Sequence, residues 1–378
     1  PFFAGGLQGH VVVVDLSGVQ KRLTRTYLYA YGLAWAASGE EVWFTASNMG
    51  EARRLRAVTL AGGERVVHGE TGALVLHDIS PGGRVLLARE DFRRRIFYRD
   101  LENRLEKELT WQDRPRLYDL TADGRLVAFW ESGEGAARRT MRFYLRETSG
   151  KPPVRLETGE FGLVFSPNGS SVVTVKSAES VVQAGSGEGA ATAYVYPVAG
   201  GRARTVPLKG FRTCLAGLMP DGKGLWIGDL TGGRPPRTWL MAGEGATPHP
   251  LTPEGVQAIY PWVTPDGKAI VGRAWPSTSL YPVTGEAATP LAGVGEDERL
   301  AGWGPGGQSV FVHDPSQIPA TVYRVDLATG ARTPVHQVAP PDLAGVRNIE
   351  VLVTPDGKRL AFEIHEIRHE LYLAEGLR

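Results

Sequence analysis

A turn of the type S/T-P-D-G recurs eight times along 378 residues, and each copy lies between two short apolar runs. Glycine (48) and proline (26) together make up about a fifth of the chain. These observations predict an all-β fold: a single β-propeller of four-stranded blades, eight by the most direct count, with seven plus an appended piece as the alternative.

The copies are AASG ending at Gly39, SPGG at Gly83, TADG at Gly124, SPNG at Gly169, MPDG at Gly222, TPDG at Gly267, GPGG at Gly307 and TPDG at Gly357. Their spacings are 44, 41, 45, 53, 45, 40 and 50 residues. Proline presets φ for the turn, Asp or Asn bonds the local backbone, and glycine takes the position with φ > 0. Four positions before each glycine stands an apolar residue: Trp35, Ile79, Leu120, Phe165, Leu218, Val263, Trp303 and Val353. Three positions after it stand Val42, Leu86, Val127, Val172, Leu225, Ile270, Val310 and Leu360. Eight matches at two offsets are not chance in a chain that is 42% apolar.

In chain order, "HVVVVDL" and "QKRLT" read as two spare strands ahead of the first full copy. That copy opens with "GLAWAA" and "EVWFTAS", runs of strand length rich in β-formers. Two more strands follow in most copies, as in "TVYRVDLATGARTPVHQ". The last copy supplies "IEVLVT", "RLAFEI" and "ELYLAEG". A ring closes best when an N-terminal strand finishes the C-terminal blade, because an unpaired edge is otherwise left. Residues 10–24 are therefore assigned to completing the last blade, 25–344 to seven consecutive blades and 345–378 to the last one.

The net charge of +1 gives no reason to expect nucleic acid or an acidic membrane surface. The single cysteine, Cys214, cannot form an internal disulfide. No run of about 18 apolar residues occurs, and no signal peptide is evident. The opening "PFFAGGLQGHVVVVDLSG" reads like the middle of a repeat, as expected of a piece of a longer protein.

His365, Glu366 and His369 spell H-E-x-x-H, the spacing that puts two zinc ligands on one face of a helix. Here the motif follows a strand and leads into another, and no further histidine comes after it, so no metal is expected. The G-x-S-x-G elbow, the P-loop and C-x-x-C are absent. A polar pair recurs in "LHDIS" and "LYDLT": His77 with Asp78 and Tyr118 with Asp119 share their offsets on the innermost strand. There they would line the channel mouth and face a cation or polar ligand, or else bond the backbone of the next blade. Trp262 shares the aspartates' offset and would stack on a ligand or fill the core. Arg93, Arg94, Arg95, Arg138 and Arg139 are expected on connections, as solvated charge or as a basic patch for an acidic partner. The insert at 177–193 is small, polar and glycine-rich, and reads as a surface loop.

The segments "GLAWAASGEEVWFTAS", "AVTLAGGERVV", "LHDISPGGRVLLARED", "DLTADGRLVAFWESGEG" and "LYLAEGLR" resemble one known group. It is the C-terminal region of bacterial serine/threonine protein kinases that carry WD40-like (PD40, TolB-like) β-propeller repeats. The resemblance implies an N-terminal kinase domain, a membrane segment between the two, and a propeller acting as a sensing or protein-interaction module. It places the propeller on the periplasmic or extracytoplasmic side of a membrane-anchored protein, with the cytoplasm as the alternative. The kinase motifs themselves are missing from this chain, so no catalytic residue carries over and no cofactor is expected. The expected partner is a protein or small ligand on a propeller face. A stand-alone TolB-like periplasmic scaffold and a metal-dependent propeller enzyme of lactonase or lyase type are the alternatives.

Overall fold

The protein is described by a computed structural model covering residues 9–48, 52–70, 72–112, 114–132, 141–157, 159–179 and 189–377. The chain is all-β and divides into two compact units. Described residues up to Arg93 and from Glu366 form the first, and Arg94–Ser132 with Met141–His365 form the second.

In the first unit, β1 (Val12–Val14) and β2 (Gln20–Arg22) pair with each other in a two-stranded sheet. Next comes an antiparallel sheet of β3 (Tyr29–Trp35), β4 (Glu41–Ser47), β5 (Arg54–Thr59) and β6 (Glu64–His68). β7 (Ala73–Ile79) then pairs with β8 (Val85–Asp100), whose residues through Arg93 belong to this unit.

In the second unit, β9 (Leu105–Glu108) pairs with the far half of β8, from Phe97↔Glu108 to Asp100↔Leu105. Five antiparallel four-stranded sheets follow in strict sequence order. They are β10 (Pro115–Leu120), β11 (Leu126–Ser132), β12 (Met141–Glu147) and β13 (Val154–Arg155); β14 (Phe161–Phe165), β15 (Ser171–Lys176), β16 (Ala191–Pro197) and β17 (Arg204–Leu208). The third is β18 (Cys214–Leu218), β19 (Leu225–Asp229), β20 (Arg237–Met241) and β21 (His249–Pro250). The fourth is β22 (Gln257–Val263), β23 (Ala269–Ala274), β24 (Ser277–Pro282) and β25 (Thr289–Pro290). The fifth is β26 (Arg299–Trp303), β27 (Ser309–His313), β28 (Ala320–Asp326) and β29 (Arg332–Val338). A sixth sheet joins β30 (Val346–Val353) and β31 (Arg359–Ala374) to the far half of β8 and to β9.

Six apolar clusters show how these sheets meet. Leu145 and Phe165 pack between the first and second, Val206 and Ile227 between the second and third, and Trp226 and Val263 between the third and fourth. Val271 and Val312 join the fourth to the fifth, Val322 and Phe362 the fifth to the sixth, and Ile96 and Phe129 the sixth to the first. The cycle is closed, so the second unit is a β-propeller with its core distributed between sheets rather than in one centre. A cavity of about 200 Å³ is lined by the ends of all six first strands, including Leu120, Phe165, Leu218, Val263, Trp303 and Val353. It marks one end of the central bore.

The turns form as the sequence predicts. All eight glycines have φ between 68° and 78°, and each donates its N–H to the carbonyl three residues back. The turn side chains close the motif: Asp266 Oδ1 accepts the Thr264 hydroxyl at 2.7 Å and Lys268 N–H at 3.0 Å. Asp356 does the same with Thr354 and Lys358.

The closure differs in detail from expectation. Six hairpins, from Gly124 to Gly357, open sheets of the second unit, whereas those at Gly39 and Gly83 belong to the first. N-terminal strands do complete the sheet of the last copy, but they are β8 and β9 rather than residues 10–24. β1 and β2 are too short and too exposed for that place, whereas the far half of β8 buries Ile96, Tyr98 and Asp100 in alternation. The chain end is also one strand from Arg359 to Ala374, not two. That stretch holds no Gly, Pro, Asn or Asp to break it.

Candidate functional site

The first strand of each sheet sets which residues reach the bore. In β7 and β10 the register shifts by one at His77 and at Tyr118, so Asp78 and Asp119 occupy matching places after a bulge. Each aspartate accepts its successor's N–H at 2.8 Å, from Ile79 and from Leu120. Asp119 is buried, lines the 200 Å³ cavity, and accepts Phe165 N–H of the next sheet at 2.8 Å through Oδ2. It thus latches two sheets together. Tyr118 is half-buried against the same interface, and burial pushes its phenol up. His77 and Asp78 are exposed residues of the first unit. Trp262 lies on β22, with its side chain outside the described residues. The structure therefore brings Tyr118 and Asp119 together at one sheet interface, and does not gather all five positions into one site.

A denser polar cluster lies at the other end of the same strands. Arg116, Arg299 and Arg347 stand at or next to the starts of β10, β26 and β30, several residues from the cavity-lining ends. Arg299 pairs across the ladder with His313, the last residue of β27, and forms an ion pair with Glu350 of β30. His313 is buried, and its Nε2 accepts Val351 N–H at 3.2 Å. Its Nδ1 has no hydrogen-bond partner among the described residues. Glu363 of β31 is also buried; its Oε2 accepts Leu117 N–H at 2.6 Å and its Oε1 lies 3.6 Å from Arg94 Nε. His313 and Glu363 hold the same place in their repeats, six residues after Gly307 and Gly357. Each accepts a backbone N–H from the first strand of the following sheet.

The local field follows from this gathering. Burial alone would raise the Glu350 carboxyl, but His313, Arg299 and Arg116 outweigh it and hold the group at about 2. Burial pushes Glu363 up, against the pull of Arg94 and Arg116. Burial, together with Arg94, Arg116 and Arg347, brings His365 down to about 4, so its imidazole is neutral at pH 7.

His365, Glu366 and His369 all lie on the strand β31. Four residues along a strand separate the two histidines by about 13 Å, far more than one metal ion spans. His369 instead lies 3.6 Å from Glu90. Among the described residues, no group of three or more His, Cys, Asp or Glu is placed to hold a metal. Arg93, Arg94 and Arg95 fall inside β8 rather than on a connection. Arg138, Arg139 and most of the insert at 177–193 lie outside the described residues.

No family model and no curated protein matches the chain. Among solved structures it is similar to a putative TolB from Agrobacterium tumefaciens, at 16% identity and a TM-score of 0.48, over 74% of this chain and 99% of that one. It is also similar to TolB from Acinetobacter baumannii, at 13% identity and a TM-score of 0.40, over 90% of this chain and 65% of that one. The β-propeller domain of the Trilobed protease from Pyrococcus furiosus matches at 9% identity and a TM-score of 0.42, over 92% of this chain and 99% of that one.

The residues that sequence reasoning misses are Arg116, Arg299, His313, Glu350 and Glu363. One signal was present. In "SVFVHD" and "RLAFEIH" an ionisable residue, His313 or Glu363, follows an apolar run of the second strand at a fixed distance from the turn, and a buried group of that kind needs a partner.

Proposed function

We propose that the chain is a non-catalytic recognition β-propeller that binds a protein or small ligand at the charged mouth of its second unit. The observation that supports this is that Arg116, Arg299, His313, Glu350 and Glu363 all stand on strands. Ladder hydrogen bonds fix strand positions more tightly than loops, which suits recognition of a defined partner. In the full-length protein the module would be the sensor of an attached bacterial serine/threonine kinase, on the extracytoplasmic side of a membrane. Ligand binding would then act by shifting domain arrangement or dimerisation, to the extent that the two states differ in affinity.

The test uses an antibody raised against this chain, of 40.9 kDa, on extracts of the source cell. A band larger by a kinase domain, in the membrane fraction, supports the kinase-linked sensor. A band near the chain's own mass in the periplasm supports a stand-alone TolB-like scaffold instead. Turnover of a lactone or peptide by the purified chain would overturn the non-catalytic reading.

A further inference from the structure

We infer that the cleft between the second and third sheets of the second unit is a binding site for a small amphipathic carboxylate, an apolar body carrying one carboxylate group. The cleft lies beside the turns at Gly169 and Gly222, at the opposite end of the strands from the charged mouth, so the site goes beyond the recognition reading above.

Its volume is about 360 Å³, at the lower end of the range for small-molecule sites. The floor is apolar: Val195, Leu218 and Met219 are buried there, with Pro220 beside them. Arg202 and Arg204 also line the cleft, and no Asp or Glu does among the described residues. Arg204 Nη1 donates to Glu244 Oε2 at 2.6 Å, so that charge is matched. Arg202 is exposed and has no hydrogen-bond or ion-pair partner among the described residues. Asp221, in the turn at Gly222, is not part of the lining, and its Oδ1 accepts Lys223 and Gly224 N–H, each at 2.9 Å.

The turn at Gly169 points the same way independently. Four of the other five turns in this unit carry an aspartate before the glycine, namely Asp123, Asp221, Asp266 and Asp356, whereas this one carries Asn168. Asn168 Oδ1 closes the turn as those carboxylates do, accepting the Ser166 hydroxyl at 2.7 Å and Ser170 N–H at 3.0 Å. It does so without a negative charge, and its Nδ2 keeps two N–H donors with no partner among the described residues. An anion in the cleft therefore meets a guanidinium fork and an amide where sister turns hold a carboxylate. One unmatched cation answers one negative charge, and the apolar floor rewards burial of a carbon body, which together specify an organic carboxylate rather than a phosphate dianion.

Calorimetric titration of the whole chain with N-acetylphenylalanine and with octanoate, each at ionic strength matched with chloride, tests the site. Saturable binding of one equivalent of either acid is expected. Tighter binding of N-acetylphenylalanine identifies a peptide C-terminus as the source of the carboxylate, and tighter binding of octanoate a free fatty acid. N-acetylphenylalanine amide lacks the charge and acetate lacks the body, and both should bind about tenfold more weakly or worse. Arg202→Glu should weaken binding by about tenfold or more. Arg234→Glu makes the same charge change at an exposed position outside the cleft, and should leave binding unchanged. Asn168→Asp installs the residue that the sister turns already use, so it should keep the circular dichroism spectrum and melting temperature while weakening binding several-fold. Absence of saturable binding by both acids, equal binding of the amide or of acetate, or equal weakening by Arg202→Glu and Arg234→Glu would overturn the site while leaving recognition at the charged mouth standing.

Discussion

Glu363 shows what a single buried carboxylate does in this fold. Replacing it with glutamine keeps an oxygen for Leu117 N–H and removes a charge that burial already disfavours. Glu363→Gln should therefore change stability by less than about 1 kcal/mol in urea denaturation, whereas Glu363→Leu leaves the N–H unanswered and should cost about 1–3 kcal/mol. Equal losses for both would mean that the charge, not the hydrogen bond, matters. His365 gives a pH signature. Its folded-state value of about 4 lies below the ordinary 6.5, so the folded chain binds fewer protons between those limits. Stability is then full above pH 6.5 and falls as the pH drops towards 4, by roughly 3 kcal/mol at about 1.4 kcal/mol per unit. Glu350, also depressed, loses its contribution only below about pH 4.5. Melting curves across pH should show the upper window flattened in His365→Gln and the lower one retained. His365 stands out only as part of H-E-x-x-H, and Glu350 and Glu363 not at all, because their roles come from meeting residues as far as about 270 positions away.

At the scale of the hairpin, the sequence is most informative. A turn is decided by four or five neighbouring residues, so the S/T-P-D-G pattern carries its own geometry, and all eight glycines take the conformation expected of them. Their cost of substitution should nevertheless differ. A methyl group at Gly222 meets nothing, whereas at Gly124 it comes within 2.6 Å of Arg359 Cδ and 3.2 Å of Thr354 Cγ2 on the next sheet. Gly222→Ala should lose the strain of a left-handed residue, roughly 1–2 kcal/mol, and Gly124→Ala measurably more. Similar melting temperatures for the two variants would count against this packing. The flanking apolar positions tell a related story. In the six copies of the second unit they are all buried, whereas in the first unit Trp35 is 50% exposed and Ile79 and Leu86 are half-buried. The pattern identifies the repeat but not the surroundings in which each copy ends.

Across the whole chain, pairing of the sixth sheet is what the sequence conceals. "RRRIFYRD" reads as a basic connection because its alternation is carried by Ile96 and Tyr98 between arginines. Only the presence of β31 alongside makes it an interior strand. Ile96 is fully buried between the sixth and first sheets. Ile96→Ala should destabilise by about 2–5 kcal/mol. Hydrogen exchange should then quicken in both β10 and β30, strands far apart in sequence. Faster exchange in β8 and β9 alone would argue that the cycle does not depend on this joint.

The same joint bears on how the protein is made. Residues 94–100 leave the ribosome long before residues 346–365, their partners in the sixth sheet, have been translated. Until then the far half of β8 has β9 on one side and an open edge on the other, an invitation to mispairing with neighbouring nascent chains. Five sheets can stack as they emerge, but the last stitch waits until residues 346–365 have been made. A product stopped at residue 344 should accordingly be found with chaperones or in the insoluble fraction, while one extended to residue 378 should not.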